Sequence, residues 1–167
     1  MPNTYTLIAS NTVGSGGAAS VTFSSISATY TDLLLKSSTR QSSGSVAYGT
    51  LEFNGSSANF TYRSIEGDGA TAGSFNGATA PFGVVTPSGY TANTFSNIEF
   101  YIPNYASSNY KSYSSDSVTE NNATASYADL VAGLWSNTAA ITSIKMTPGA
   151  GNFVQYSTFY LYGISKS

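Results

Sequence analysis

Near its end the chain carries a ribbon, residues 153–164 (FVQYSTFYLYGI), that is apolar on both of its alternating sides. Phe153, Phe159 and Leu161 fall on one side; Val154, Tyr156, Tyr160, Tyr162 and Ile164 fall on the other. Such a strand has no face suited to water, which predicts a place inside a sheet covered on both sides. Its partners must come from much earlier in the chain. Residues 30–39 (YTDLLLKSST), with Leu33, Leu34 and Leu35 in succession, are the best match. Pairing across more than a hundred residues belongs to Greek-key and jelly-roll sandwiches rather than to meanders. The expectation is an all-β, jelly-roll-like antiparallel β-sandwich.

Taken in order, the chain supports about ten short strands and no helix, in a single domain spanning 1–167. Residues 5–13 alternate as a strand and stop at Gly14-Ser15-Gly16-Gly17, after which Ala19, Val21 and Phe23 share one face of a returning strand. Segments 46–53 and 58–65 read as a hairpin across Asn54-Gly55, a pair that accepts positive φ at little cost. Residues 70–89, rich in Gly, Ala, Thr and Pro, read as a long surface loop with a short strand near Val84. Residues 94–103 alternate strictly, with Ile98, Phe100 and Ile102 inward and Pro103 as the stop. Residues 110–118 (YKSYSSDSV) are polar at nearly every position, which suits an edge or outer strand. Residues 120–125 (ENNATA) form a loop, 127–135 (YADLVAGLW) lean to strand over helix, and 141–147 place Ile144 and Met146 inward.

Charge is scarce. Only 8% of residues are Asp, Glu, Lys or Arg, against roughly a quarter in ordinary soluble domains, so Ser, Thr, Asn, Gly and Tyr must make up the surface. Net charge is −2, and Lys36, Arg40, Arg63, Lys111, Lys145 and Lys166 are scattered, which argues against a nucleic-acid footprint. No apolar run approaches the length of a membrane-spanning helix, and the opening residues lack the pattern of a signal peptide. Synthesis and folding in a cytoplasm, with no membrane partner, are the expectation.

The chain has neither Cys nor His, which removes disulfides, thiolate and imidazole metal sites, and every Ser-His or Cys-His nucleophile. Paired carboxylates remain, and Glu66 and Asp68 in the turn EGDG are the nearest pair. Flanked by Gly, they read as solvent-facing rather than catalytic. The same turn offers oxygens to a hard cation but has no EF-hand spacing. No catalytic residue, metal or cofactor is expected. Asn54, Asn59 and Asn122 open Asn-X-Ser/Thr matches of the sort an Asn/Ser/Thr-rich chain produces by chance.

Two binding readings follow. Thirteen Tyr and one Trp supply rings that stack on sugars if exposed, with Tyr101, Tyr105, Tyr110, Tyr113 and Trp135, and also Tyr90, as the set; the bland reading is ordinary buried strand aromatics. Alternatively, long uncharged strands with few charges at their edges suit a protein whose faces and edges are covered in an assembly. The contact surface would then be the N-terminal residues and the 70–89 loop with its neighbour, through Phe75, Pro81, Phe82, Val84, Pro87 and Tyr90.

YTLIASNTVGSGGAASVTFSSI, YTDLLLKSSTR, LEFNGSSANFTYRSIEGDG and the closing GNFVQYSTFYLYGI resemble a group of small bacteriophage virion proteins, in the same order along nearly the whole chain. The resemblance implies a non-enzymatic jelly-roll-like domain on the virion, either a capsid decoration (cement) protein or a tail or fibre module binding a host-surface carbohydrate. It also implies a homotrimer and, for the decoration role, the major capsid protein as partner. The absence of a stalk repeat favours decoration.

Overall fold

The structure, a computed structural model, describes residues 4–122 and 126–165. The first three residues, the end of the 120–125 loop with part of the Asn122 sequence match, and Lys166 lie outside it.

Twelve strands are present among the described residues: β1 (Tyr5–Thr12), β2 (Val21–Phe23), β3 (Asp32–Thr39), β4 (Ala47–Phe53), β5 (Phe60–Gly67), β6 (Ala72–Gly77), β7 (Pro81–Val85), β8 (Ser96–Ile102), β9 (Lys111–Glu120), β10 (Ser126–Trp135), β11 (Ile144–Thr147) and β12 (Thr158–Ile164). They build an all-β sandwich of two antiparallel sheets. The larger runs β1-β12-β3-β8-β9-β10-β5-β6 and the smaller β2-β11-β4-β7.

The terminal ribbon pairs with the 30–39 segment as expected, Leu161 opposite Leu35 and Tyr162 opposite Leu34. Its place is second from one edge, beside β1, rather than at the middle. Phe159 and Leu161 point into the core, while Tyr160 and Tyr162 lie on a face that stays half exposed. The strand also starts later than its apolar pattern suggests, because Tyr156 sits in a turn with φ 72°. Its side chain is exposed there.

Two expected hairpins are not hairpins. β1 lies in the large sheet and β2 in the small one; β4 lies in the small sheet and β5 in the large one. Asn54 (φ 53°) and Gly55 (φ 74°) make the tight turn their types predict, with Phe53 and Ser56 exchanging backbone hydrogen bonds. The chain nevertheless leaves the turn for the opposite sheet. The Asn54 side chain directs the exit: its Oδ1 accepts from the Thr142 and Ser143 amides, and its Nδ2 donates to the Ala140 carbonyl. Turn chemistry specifies a reversal of direction, not the sheet on which the chain lands.

β9 corrects another expectation. It is fifth of the eight strands, not an edge, and its inward positions are Lys111, Tyr113, Ser115, Ser117 and Thr119. The hydroxyls are buried because they bind the free edge of β7. Ser115 donates to the Phe82 carbonyl at 2.7 Å, Ser117 accepts from the Val84 amide at 2.9 Å, and the Thr119 and Thr86 hydroxyls lie 2.8 Å apart. Gly83 (φ 136°) allows this approach: a Cβ there would lie 2.8 Å from Ile98 and 2.9 Å from Ser117. Buried backbone groups must find partners, and here serines supply them.

The core centres on Trp135, which stacks on Phe60 and meets Phe53 edge-on, with Phe100 and Tyr113 completing the aromatic group. Gly133 is needed beneath it, since a Cβ would fall 1.9 Å from the Tyr113 ring.

Candidate functional site

The structure separates the residues singled out by sequence. Of the sugar-stacking set, Tyr105, Tyr113 and Trp135 are buried in the core. Tyr101 is half-buried and spends its hydroxyl on Asp32 at 2.8 Å. Tyr110 alone is well exposed, at 57%. The set is therefore no stacking platform, because the fold has spent its largest rings on the interior.

The proposed contact loop is corrected in the same way. Residues 70–89 hold two strands, β6 and β7, and every residue of β7 is buried. Pro81, Phe82, Val84 and Pro87 are thus interior, leaving Phe75 exposed on β6 and Tyr90 half-buried beyond β7. Tyr90 belongs to a segment held by Arg40. That guanidinium donates to the carbonyls of Ser88, Tyr90, Thr91 and Thr94 at 2.9–3.0 Å. Only two of the six positions face outward at all.

Glu66 and Asp68 are no dyad either. Asp68 closes the β5–β6 turn, its carboxylate accepting from the Thr71 and Ala70 amides and the Thr71 hydroxyl. Those donors, led by the Thr71 amide, hold its carboxyl below the usual range. Glu66 instead faces inward, directly opposite Asp129 on β10. Between them sits Tyr48 of β4, whose hydroxyl lies 2.7 Å from Asp129 Oδ1 and 3.1 Å from Glu66 Oε2. One phenolic proton serves two carboxyl groups, so it satisfies one of them at a time. Burial pushes the Asp129 carboxyl up to about 6, against the hydrogen bond from Tyr48, and the neighbouring Glu66 charge adds to the rise. Burial likewise raises the Tyr48 hydroxyl.

Asp129 binds its proton more tightly folded than unfolded, so its contribution to stability is fully present below the unfolded value of 3.8 and is lost as pH rises through about 6. Wild type is expected to gain about 2–3 kcal/mol on acidification across that window, read by urea unfolding. Asp129→Asn is expected to flatten the profile; a wild-type profile already flat there contradicts the assignment. Asp129 was missed because a lone Asp in YADLVAGLW gives no sign of which carboxyl it will meet. Among the described residues, no three acidic side chains gather into a metal site.

The broadest accessible feature is the outer face of the large sheet. Its register forms rows across all eight strands. One runs Ser10, Tyr160, Lys36, Glu99, Asp116, Leu130, Ile65 and Ser74. A neighbouring row begins Leu7, Tyr162, Leu34, Tyr101 and reaches Arg63 and Asn76. Lys36 and Glu99 pair at 2.6 Å, and Asp116 lies near enough to act on the same lysine. To one side of this short charged strip stand Tyr5 and Leu7; to the other stand Ile65, Val118 and Leu130, each of the five about half exposed. The second cluster lines a shallow groove of about 560 Å³ together with Ala72, Ala128 and Asp116. This face follows from strand register, which neither period nor composition reveals.

Comparison of the chain with family models, curated proteins and solved structures finds no match.

Proposed function

We propose that this chain is a non-enzymatic structural protein of a bacteriophage particle, decorating the head shell through the outer face of its large sheet. The observation that carries the reading is that face: eight strands wide, with Ile65, Val118 and Leu130 grouped on one side of the Lys36–Glu99–Asp116 strip and Tyr5 and Leu7 on the other. Exposed apolar groups clustered in this way mark interaction surfaces. The charged strip crosses the middle strands β3, β8 and β9, so the apolar flanks on either side of it are the contact regions, and aromatic residues such as Tyr5 are enriched at protein–protein interfaces. The resemblance of the four sequence blocks to phage virion proteins supplies the setting, and the major capsid protein is the partner this proposal names. Binding energy alone does the work, multiplied by the number of copies on a shell.

Three of the six rings of the carbohydrate set lie in the core, which leaves that reading without a stacking surface. The test is binding of purified protein to phage heads assembled without it. Leu130→Lys and Val118→Lys, both at solvent-facing positions, are expected to weaken binding at least tenfold with an unchanged circular dichroism spectrum. Binding indifferent to both charges, or no binding by wild type, overturns the proposal.

A further inference from the structure

Two open sheets have four outer strands, and natural sheets protect such edges from pairing with other chains. Three of the four here carry a recognisable protection. β1 has a register slip between Leu7 and Ala9, and a bulge spoils an edge as a template. β2 is three residues long. β7 has its edge occupied by the Ser115 and Ser117 hydroxyls. β6 has none of these. It pairs with β5 in unbroken register from Tyr62–Gly77 to Gly67–Ala72, and no strand lies beyond it among the described residues. Its sequence, AGSFNG, has no charge and no proline, and Phe75 is 47% exposed.

We propose that β6 is completed by β6 of a second copy of this chain, paired antiparallel about a two-fold axis through Ser74. A bare strand edge is a row of backbone donors and acceptors, so an extended strand is the occupant it fits. Two features select a second copy. First, nothing on β6 meets its own image as a like charge. Second, pairing Ser74 with Ser74 sets each Phe75 opposite the partner's Gly73. Phe75 already lies over Gly73 of its own strand, where a Cβ would come within 2.8 Å of the ring. Each ring then has a glycine beside it both along and across the strands, an arrangement in which aromatics cover glycine backbone.

A six-residue pairing is small beside interfaces that hold stable dimers, so association is expected at high rather than trace concentration. This inference stands apart from the shell-binding reading: it concerns the sheet edge, not the outer face, and either one survives failure of the other.

Sedimentation of the full chain at rising concentration tests it. Wild type is expected to reach a dimer, weakened at least tenfold by Ser74→Lys, which sets two cations face to face at a solvent-exposed position. Amide exchange measured on unmodified protein is expected to slow with concentration within 72–77, which keeps the test decisive if a variant folds poorly. A monomer at millimolar concentration, a trimer, a dimer indifferent to Ser74→Lys, or concentration-dependent protection confined to other strands overturns the proposal.

Discussion

Trp135→Ala is expected to destabilise the fold by about 3–5 kcal/mol, the cost of removing the largest side chain from a packed core. Trp135 is 1% exposed and joins the two sheets: it comes from β10 and packs on Phe53 of β4 as well as on Phe60 of β5. Phe60 and Phe53 would together face an emptied volume, and neither sheet can close it without moving the other. Trp135→Phe is expected to cost far less, about 1–2 kcal/mol, because the indole Nε1 has no acceptor among the described residues. Removing an unsatisfied buried donor offsets part of the lost packing. Denaturant unfolding of both variants measures the difference. Equal losses would mean that shape, rather than burial, governs the site, and a loss below 1 kcal/mol for alanine would contradict the core as described.

Arg40→Ala is the second large effect, expected at about 2–4 kcal/mol on the scale of hydrogen bonds to a charged group. Arg40 is 9% exposed, and its charge is met by four carbonyl dipoles from the segment after β7. Burial lowers its proton affinity, yet a guanidinium stays charged. Arg40→Lys is expected to recover only part of the loss, since an ammonium cannot fork across carbonyls on both sides. The signature is local: amide exchange over 86–95 accelerates while β10 and β12 stay protected. Uniform acceleration across the chain would contradict a pinning role.

These two residues illustrate what can be read from the sequence. Trp135 was legible as an aromatic in a strand, but whether its ring lay inside or outside depended on the register of β10 against β5 and β9, which local pattern does not determine. Arg40 gave no signal at all, because its partners are backbone carbonyls and carry no side-chain identity. Strict alternation placed Ile98, Phe100 and Ile102 correctly, and the leucine run of β3 found the terminal ribbon across the whole chain. Polar alternation misled at β9, where buried serines satisfy an incoming strand edge rather than water. Asn54-Gly55 was recognised as a turn, but the contacts of Asn54 with residues 140–143, which send β5 to the other sheet, are distant in sequence. The outer face and the free β6 edge were least legible of all, being properties of sheet order.

Adhesion through the outer face of the eight-stranded sheet is the function we propose for this chain. A cryo-electron-microscopy reconstruction of the particle that carries it tests this most directly. Many copies are expected over the head, with Ile65, Val118 and Leu130 turned against the shell. Copies confined to the tail, or bound to the head with that face toward solvent, would contradict it.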